Sequence, residues 1–276
     1  MTDSFSKYFP ILLPILSLLS FLPQLRHLWI RKDATGISLY YVFYNLISAT
    51  EQLTITFTAL INNTQGSDFF VHDPPTTGDW INLGQVTVVW LLSLFYFLEC
   101  LYLPSKGSPG RKRFVFGTYA AFLLISLVPA FVNAIRLSRG LEDPDHSWKL
   151  SLFLGLHVLF LNWIVMLMGV IAVYCQAREI FSNRLSAQAF SIIGLASQAV
   201  VFIVVAITLT FRLPFPYDMF DMLRISAWVS WYQMVGWIIF DNAIFAVGQA
   251  AILWLVTRHS GWSLATSDEI QPLLHD

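Results

Sequence analysis

Seven stretches of this chain stay apolar for about 20 residues or more, near 8–29, 37–61, 80–103, 114–137, 150–177, 187–211 and 226–257. A helix of that length crosses the hydrocarbon of a bilayer. Inside lipid each backbone N–H and C=O must find a partner within the protein, which a helix supplies along its own length. The sequence therefore predicts an all-α polytopic membrane protein with seven transmembrane helices. Composition agrees: 56% of residues are hydrophobic and 12% are charged, against about 25% charged in soluble domains. The net charge of −1 gives no basic surface for nucleic acid. The two cysteines, Cys100 and Cys175, cannot build a disulfide framework. The first stretch lacks a basic leader and a small-residue cleavage site and carries Pro10 and Pro14, so it reads as a retained helix rather than a signal peptide.

Seven spans put the two termini on opposite faces, and loop cations choose between them. One face holds Lys7, Arg136, Arg139, Lys149, Arg212 and Arg224. The other holds Arg26, Arg31, Lys32, Lys106, Arg111, Lys112, Arg113, Arg178, Arg184 and Arg258. Six against ten predicts a lumenal N-terminus and a cytosolic C-terminus.

The first span ends in "FLPQLRHLWIRKDATGIS" (21–38), and a weaker copy, "VYCQAREIFSNRLSAQAFS" (173–191), ends the fifth. Gln24, Arg26, Trp29 and Lys32 align with Gln176, Arg178, Phe181 and Arg184, and a small-residue turn follows in each, 36–38 and 189–191. The copies lie about 150 residues apart, room for three helices and one linker helix; an odd linker makes the two triplets run the same way, as in parallel-repeat transporters. Pro23 cannot donate to the carbonyl of Leu19, so a kink is expected there, with Gln24 as a candidate partner for the freed carbonyl. Hinge and static kink both fit it. Cys175 stands in the place of Pro23 in the second copy, so the halves are expected to be mechanically unequal.

The motif over 21–52 resembles that of the PQ-loop repeat family, which includes cystinosin-like exporters and, more distantly, the SWEET sugar transporters. The resemblance implies two parallel three-helix bundles joined by a linker helix, with Pro23, Gln24 and Gln176 as hinge residues. The corresponding division is 1–103 for the first bundle, 104–149 for a basic loop, linker helix and lumenal loop, 150–258 for the second bundle, and 259–276 for a cytosolic tail.

Polar residues inside apolar spans are costly and point to function. Asn45, Ser48, Gln52 and Thr56 follow helical spacing along the second span, with Glu51 on the flank of that stripe. Asn45 is the tenth residue from Gly36 and Gln198 the tenth from Ala189. In PQ-loop relatives these positions face the central cavity, and the second is an aspartate that couples protons in cystinosin-like members; here it is neutral. Asn45 and Gln198 are thus expected as paired substrate hydrogen-bonders, because an amide both donates and accepts. Glu51 and Asp241, from opposite bundles, are substrate-site and proton-coupling candidates; an Asp241 bonded to a Tyr or Trp of its own bundle is the competing reading. His157 and Asn162, five apart, are read as core residues on different faces. Asn133 is expected to relieve a kink at Pro129, and Glu99 to reach water or Lys106.

The tail carries Glu269, Leu273 and Leu274 in an acidic dileucine pattern, a sorting address read by a cytosolic adaptor that favours a vacuolar or lysosomal membrane. Asn62-Asn63-Thr64 is a glycosylation sequon, expected to be poorly used so close to a helix end. No metal or cofactor motif is present. The reading is a transporter of a small polar metabolite, an amino acid first, with protons as coupling candidates, no enzymatic activity and the lipid bilayer as its surroundings. Its rivals are a seven-helix sorting receptor of the KDEL-receptor type and a membrane enzyme such as a terpene cyclase.

Overall fold

The computed structural model describes residues 2–62, 70–105, 107–141, 145–182, 184–215 and 224–270, with side chains from 11 to 258 except 184–186. Among the described residues seven long α-helical segments follow one another. α1 is Thr2–Arg31; α2 is Leu39–Phe57, continued by a π-turn at Thr58–Asn62; α3 is Thr77–Tyr102. α4 comprises Pro109–Ile125 and Leu127–Ser138. α5 comprises His146–Leu156, a π-turn at His157–Leu161, and Asn162–Ser182. α6 is Ile192–Arg212, and α7 runs from Ile225–Trp231 through a π-turn at Tyr232–Gly236 into Trp237–Ile270.

Six of the seven are long and apolar enough to span a membrane. α2 is the other, the segment with Asn45, Glu51, Gln52 and four threonines between 50 and 58. Its polarity is tolerable because neighbours cover it: Thr50, Glu51, Gln52, Thr54 and Thr56 are all buried. A polar helix in lipid has to be enclosed by apolar ones, and α2 packs against α3, α4, α5 and α7.

The packing forms a ring. α3 lies between α1 and α2, α7 lies between α5 and α6, and the two triplets meet where α1 touches α6 and α2 touches α5. α4 rests on α2 outside that ring. The chain is therefore an all-helical, multi-pass integral membrane protein.

Two prolines illustrate how context decides. Pro129 removes an N–H and crowds the carbonyl four residues back; α4 is interrupted at Ser126, beside that carbonyl on Ile125. α1 passes through Pro23 without interruption. Asn133 does not serve the α4 break, since its Nδ2 lies 3.1 Å from His146 Nε2 on α5.

Two apolar clusters fill the ring, one at each end. The cluster at the 36–38 turn includes Leu28, Ile37, Leu46, Phe190, Phe202 and Val256. The opposite one includes Leu13, Leu53, Leu60, Leu209, Val235 and Trp237. On α2 they leave residues 48–52 between them, and on α7 residues 240–244. These windows carry Ser48, Glu51, Gln52, Asp241 and Asn242. A polar band thus lies at mid-height, where the two apolar clusters meet.

Candidate functional site

All six ring helices send a residue to the polar band. Phe21 of α1, Asn45 of α2, Ser93 of α3, Gly169 of α5, Phe202 of α6 and Asp241 of α7 line one cavity of about 30 Å³. A second, about 20 Å³, shares Phe21, Asn45, Ser93 and Phe245 with it and adds Tyr41, Tyr96 and Gln198. A third, about 10 Å³, shares Gln52, Val89 and Asn242 with the first and adds Asn82 and Gln85. Together they make a discontinuous row along the axis of the ring. Voids of this size and polarity take water rather than a metabolite.

Asp241 accepts a hydrogen bond from Ser48 Oγ at 3.2 Å, which joins α7 of one triplet to α2 of the other. One residue on, Asn242 Nδ2 donates to Gln52 Oε1 at 3.4 Å and to Ile238 O at 2.7 Å. Asn45 Nδ2 donates to its own helix, at Tyr41 O, 2.8 Å. Phe21, Phe202 and Phe245 stand beside these amides, with the Phe202 and Phe245 centroids 4.7 Å apart in an edge contact. Asn45, Gln198 and Asp241 therefore lie along one axial path.

Glu51 does not join them. Its carboxylate, fully buried, lies 2.8 and 2.9 Å from Nδ1 of His157 on α5, and His157 is 3% exposed. Glu51 lines none of the three axial cavities. The two acids expected to share a cavity face different surroundings, because Glu51 sits on the flank of the α2 stripe and that flank packs on α5. The residues 157 and 162 are not on separate faces in the sense a regular helix would give. The π-turn bonds the Asn162 N–H to the His157 carbonyl, and both side chains are buried. A π-turn adds a residue to the local winding and often marks functional positions. The Phe153 ring lies 4.3 Å from the imidazole.

The ends of the path are closed by contacts between the triplets. Gln24, 4% exposed, donates from Nε2 to Ala189 O at 3.2 Å and accepts from the Ser191 N–H at 2.8 Å. Gln176, fully buried, donates to Gly36 O at 2.9 Å and accepts from the Ser38 N–H at 2.8 Å. Each glutamine thus grips the turn of the other half, by the same two atoms. The reason is chemical: Ser38 and Ser191 are helix N-caps, whose backbone groups lack helical partners, and a carboxamide offers one acceptor and one donor side by side like a peptide. Gly36, at φ 100°, adopts a conformation that favours glycine. A Cβ on Gly194 would come within 3.1 Å of the Gln24 backbone nitrogen, so a side chain there would push α6 and α1 apart by a few tenths of an ångström. Gln24 is therefore not the partner of the Leu19 carbonyl that the motif suggested; its amide is engaged across the triplet interface.

Further contacts thicken this end. Gln24 Nε2 also donates to Tyr96 Oη at 3.4 Å, and Gln249 Nε2 donates to Tyr41 Oη at 2.6 Å. His27 Nε2 lies 2.9 Å from the Gln188 carbonyl. In the turn, Asp33 accepts from the Thr35 N–H at 2.9 Å. Partial burial pushes its carboxyl up, but the Thr35 hydrogen bonds and the Arg31 charge outweigh this and hold it below the usual carboxylate range. At the opposite end, Phe70 stacks on Trp237 with centroids 5.4 Å apart, and its N–H donates to Pro214 O at 3.3 Å. Phe70 holds φ 68°, an uncommon conformation for a non-glycine residue.

Asn62 is 1% exposed and its Nδ2 donates to Ala130 O at 3.0 Å, so the sequon asparagine is engaged inside the fold. Lys106, the expected neighbour of Glu99, lies outside the described residues, as do Leu273 and Leu274; of Glu269 only the backbone is described.

A multi-pass helical membrane protein with a polar axial path, closed at one end by paired glutamines, is the class these features define. Within it, residues 5–63 match the family model of the PQ loop repeat, a stretch that takes in α1, the Gly36 turn and α2. No curated protein matches the chain.

Proposed function

We propose that this protein carries a small polar metabolite, an amino acid first, through the axial path, the two triplets opening alternately at either end. The observation that carries the reading is the convergence of Asn45, Gln198 and Asp241, from three helices of both triplets, on two adjoining small cavities in the middle of the ring. An amide pair can hold a carboxylate and an ammonium alike, and a buried carboxylate prefers a cationic partner. In this reading Asp241 receives the substrate ammonium or a proton, while Asn45 and Gln198 orient the rest. Glu51 then acts at a distance from substrate, as a second proton acceptor paired with His157. The voids are too small for cargo, so the arrangement is a closed form; substrate must favour an expanded one by its differential affinity.

The tie between triplets consists of a few hydrogen bonds, each worth about 1 kcal/mol net, a cost that cargo binding can offset. The cation bias of the loops favours a cytosolic face for the glutamine end, and the Glu269–Leu274 pattern favours a vacuolar or lysosomal-type membrane.

The test uses purified protein in liposomes and counterflow of isotopically labelled amino acids, with and without a proton gradient. Saturable counterflow of at least one amino acid is expected. Asn45→Ala and Gln198→Ala should each reduce it at least about tenfold, the loss of a charge-assisted hydrogen bond, and Asp241→Asn should remove any stimulation by the gradient. Flux that is unchanged in all three variants, or absent across the whole panel, would refute the proposal.

A further inference from the structure

Outside the axial path, a crevice of about 280 Å³ opens between the π-turn that ends α2, the second half of α4 and the first turns of α5. Its chemistry is graded. Arg136, His146, Lys149 and Asn133 line it toward the helix ends, and Pro129, Ala130, Val132, Leu150 and Phe153 line it toward mid-bilayer. From Lys149 to Phe153 is one helical turn, about 6 Å, so the cations stand just above the apolar floor. No carboxylate is among the described lining residues. Lys149 has Asp145 at 4.0 Å, with both side chains largely exposed.

Two of the lining residues, Thr58 and Asn62, each carry a buried side-chain oxygen that the fold leaves unanswered. Thr58 Oγ1 and Asn62 Oδ1, each on a residue 1% exposed, have no hydrogen-bond partner among the described residues. Buried polar atoms are costly without partners. Here one can donate or accept and the other can only accept. A ligand that suits the crevice therefore presents negative charge outward, to Arg136 and Lys149, and hydroxyl groups inward. Val128 and Val132 on α4 and Leu152 and Leu156 on α5 are exposed beside it, giving hydrocarbon surface along which acyl chains can lie.

We infer that this crevice binds the headgroup of an anionic phospholipid carrying hydroxyls, such as a phosphatidylinositol or phosphatidylglycerol. The phosphodiester sits against Arg136 and Lys149, a headgroup hydroxyl reaches Asn62 Oδ1, and the chains follow the α4–α5 seam. Basic pockets between transmembrane helices take lipid phosphates in this way, and arginine matches phosphate geometry by its planar fork. The ligand would tie α4, which rests on the first triplet, to α5 of the second. The inference is independent of what the axial path carries.

The test places the full chain in nanodiscs of neutral phosphatidylcholine, alone or doped with phosphatidylinositol or phosphatidylglycerol. Thermal unfolding and the lipids retained in native mass spectrometry are read together. The anionic lipids are expected to raise the midpoint and to be retained. Arg136→Gln with Lys149→Gln should weaken retention at least about tenfold, and Thr58→Val by a smaller factor. Arg111→Gln with Arg113→Gln, at the other face, should retain lipid like the unaltered chain. Glu142 and Asp143 share the loop in sequence, so neutralising them should tighten retention. Equal retention by the pocket and control variants would overturn the inference. So would stabilisation by soluble glycerol phosphate with none by the lipids, which would assign the crevice to a free anion.

Discussion

In the first half of the chain Gln24 grips the 189–191 turn, and α2 then carries Asn45, Ser48, Glu51 and Gln52. In the second half Gln176 grips the 36–38 turn, and the matched positions of α6 are Gln198, Val201, Val204 and Val205. The two halves agree in the clamp and in the first amide, then part. Closing a ring of two triplets needs the same contact made twice, once in each direction, and the paired glutamines meet that need. The chemistry of the band has no such requirement. It is concentrated on α2 and α7, where Ser48 meets Asp241 and Gln52 meets Asn242, and the matched face of α6 is apolar. Pro23 against Cys175 is a second difference with an informative outcome. The clamp atoms and distances are nearly the same in the two copies, so the proline is not what positions the glutamine.

The largest expected effect breaks the asymmetric part. His157→Phe leaves the Glu51 carboxylate buried without its partner and should cost about 3–5 kcal/mol of stability, whereas Glu51→Gln, which keeps a hydrogen-bonding group beside a neutral imidazole, should cost clearly less. Unfolding midpoints of the two variants in the same detergent decide this; equal midpoints would mean that the pair is not held as an ion-paired contact. Next, Cys175→Pro should cost about 3 kcal/mol, because it removes a backbone donor inside α5, while Pro23→Ala should leave stability equal or higher. If Cys175→Pro is tolerated without loss, the halves are mechanically alike and the contrast drawn above fails. The smallest effect sharpens the symmetric part. Gln24→Ala and Gln176→Ala each strand one carbonyl on a buried residue and one N–H on a half-buried one, for about 2 kcal/mol apiece. Accessibility of a cysteine placed at Ser93 to a thiol reagent, in a chain lacking Cys100 and Cys175, should rise in both variants. A rise in one alone would show that only one clamp closes the path.

Much of the fold was legible because lipid leaves few choices. Runs of apolar residues could only be spanning helices, and the matched Gln24 and Gln176 motifs revealed a repeat before any contact was known. The alignment even paired each glutamine with a turn, Gly36–Ser38 and Ala189–Ser191, but as its own continuation rather than as the target of the other copy. That exchange is a property of two triplets facing each other, which no local pattern expresses. The site was legible in part. Asn45, Gln198 and Asp241 do reach adjoining cavities. Glu51 does not, since its position on the flank of the stripe left its direction open until α5 was in place.

By itself, then, the sequence determined that the chain is helical and crosses the bilayer several times, where its polar residues must be hidden and which turns repeat, because these follow from transfer costs and local backbone geometry. Only the tertiary structure decided which acid meets the path and which meets His157. The π-turn at 157–161 changes the winding of α5 just where the imidazole meets Glu51, and regular helical spacing along the sequence gives no sign of it.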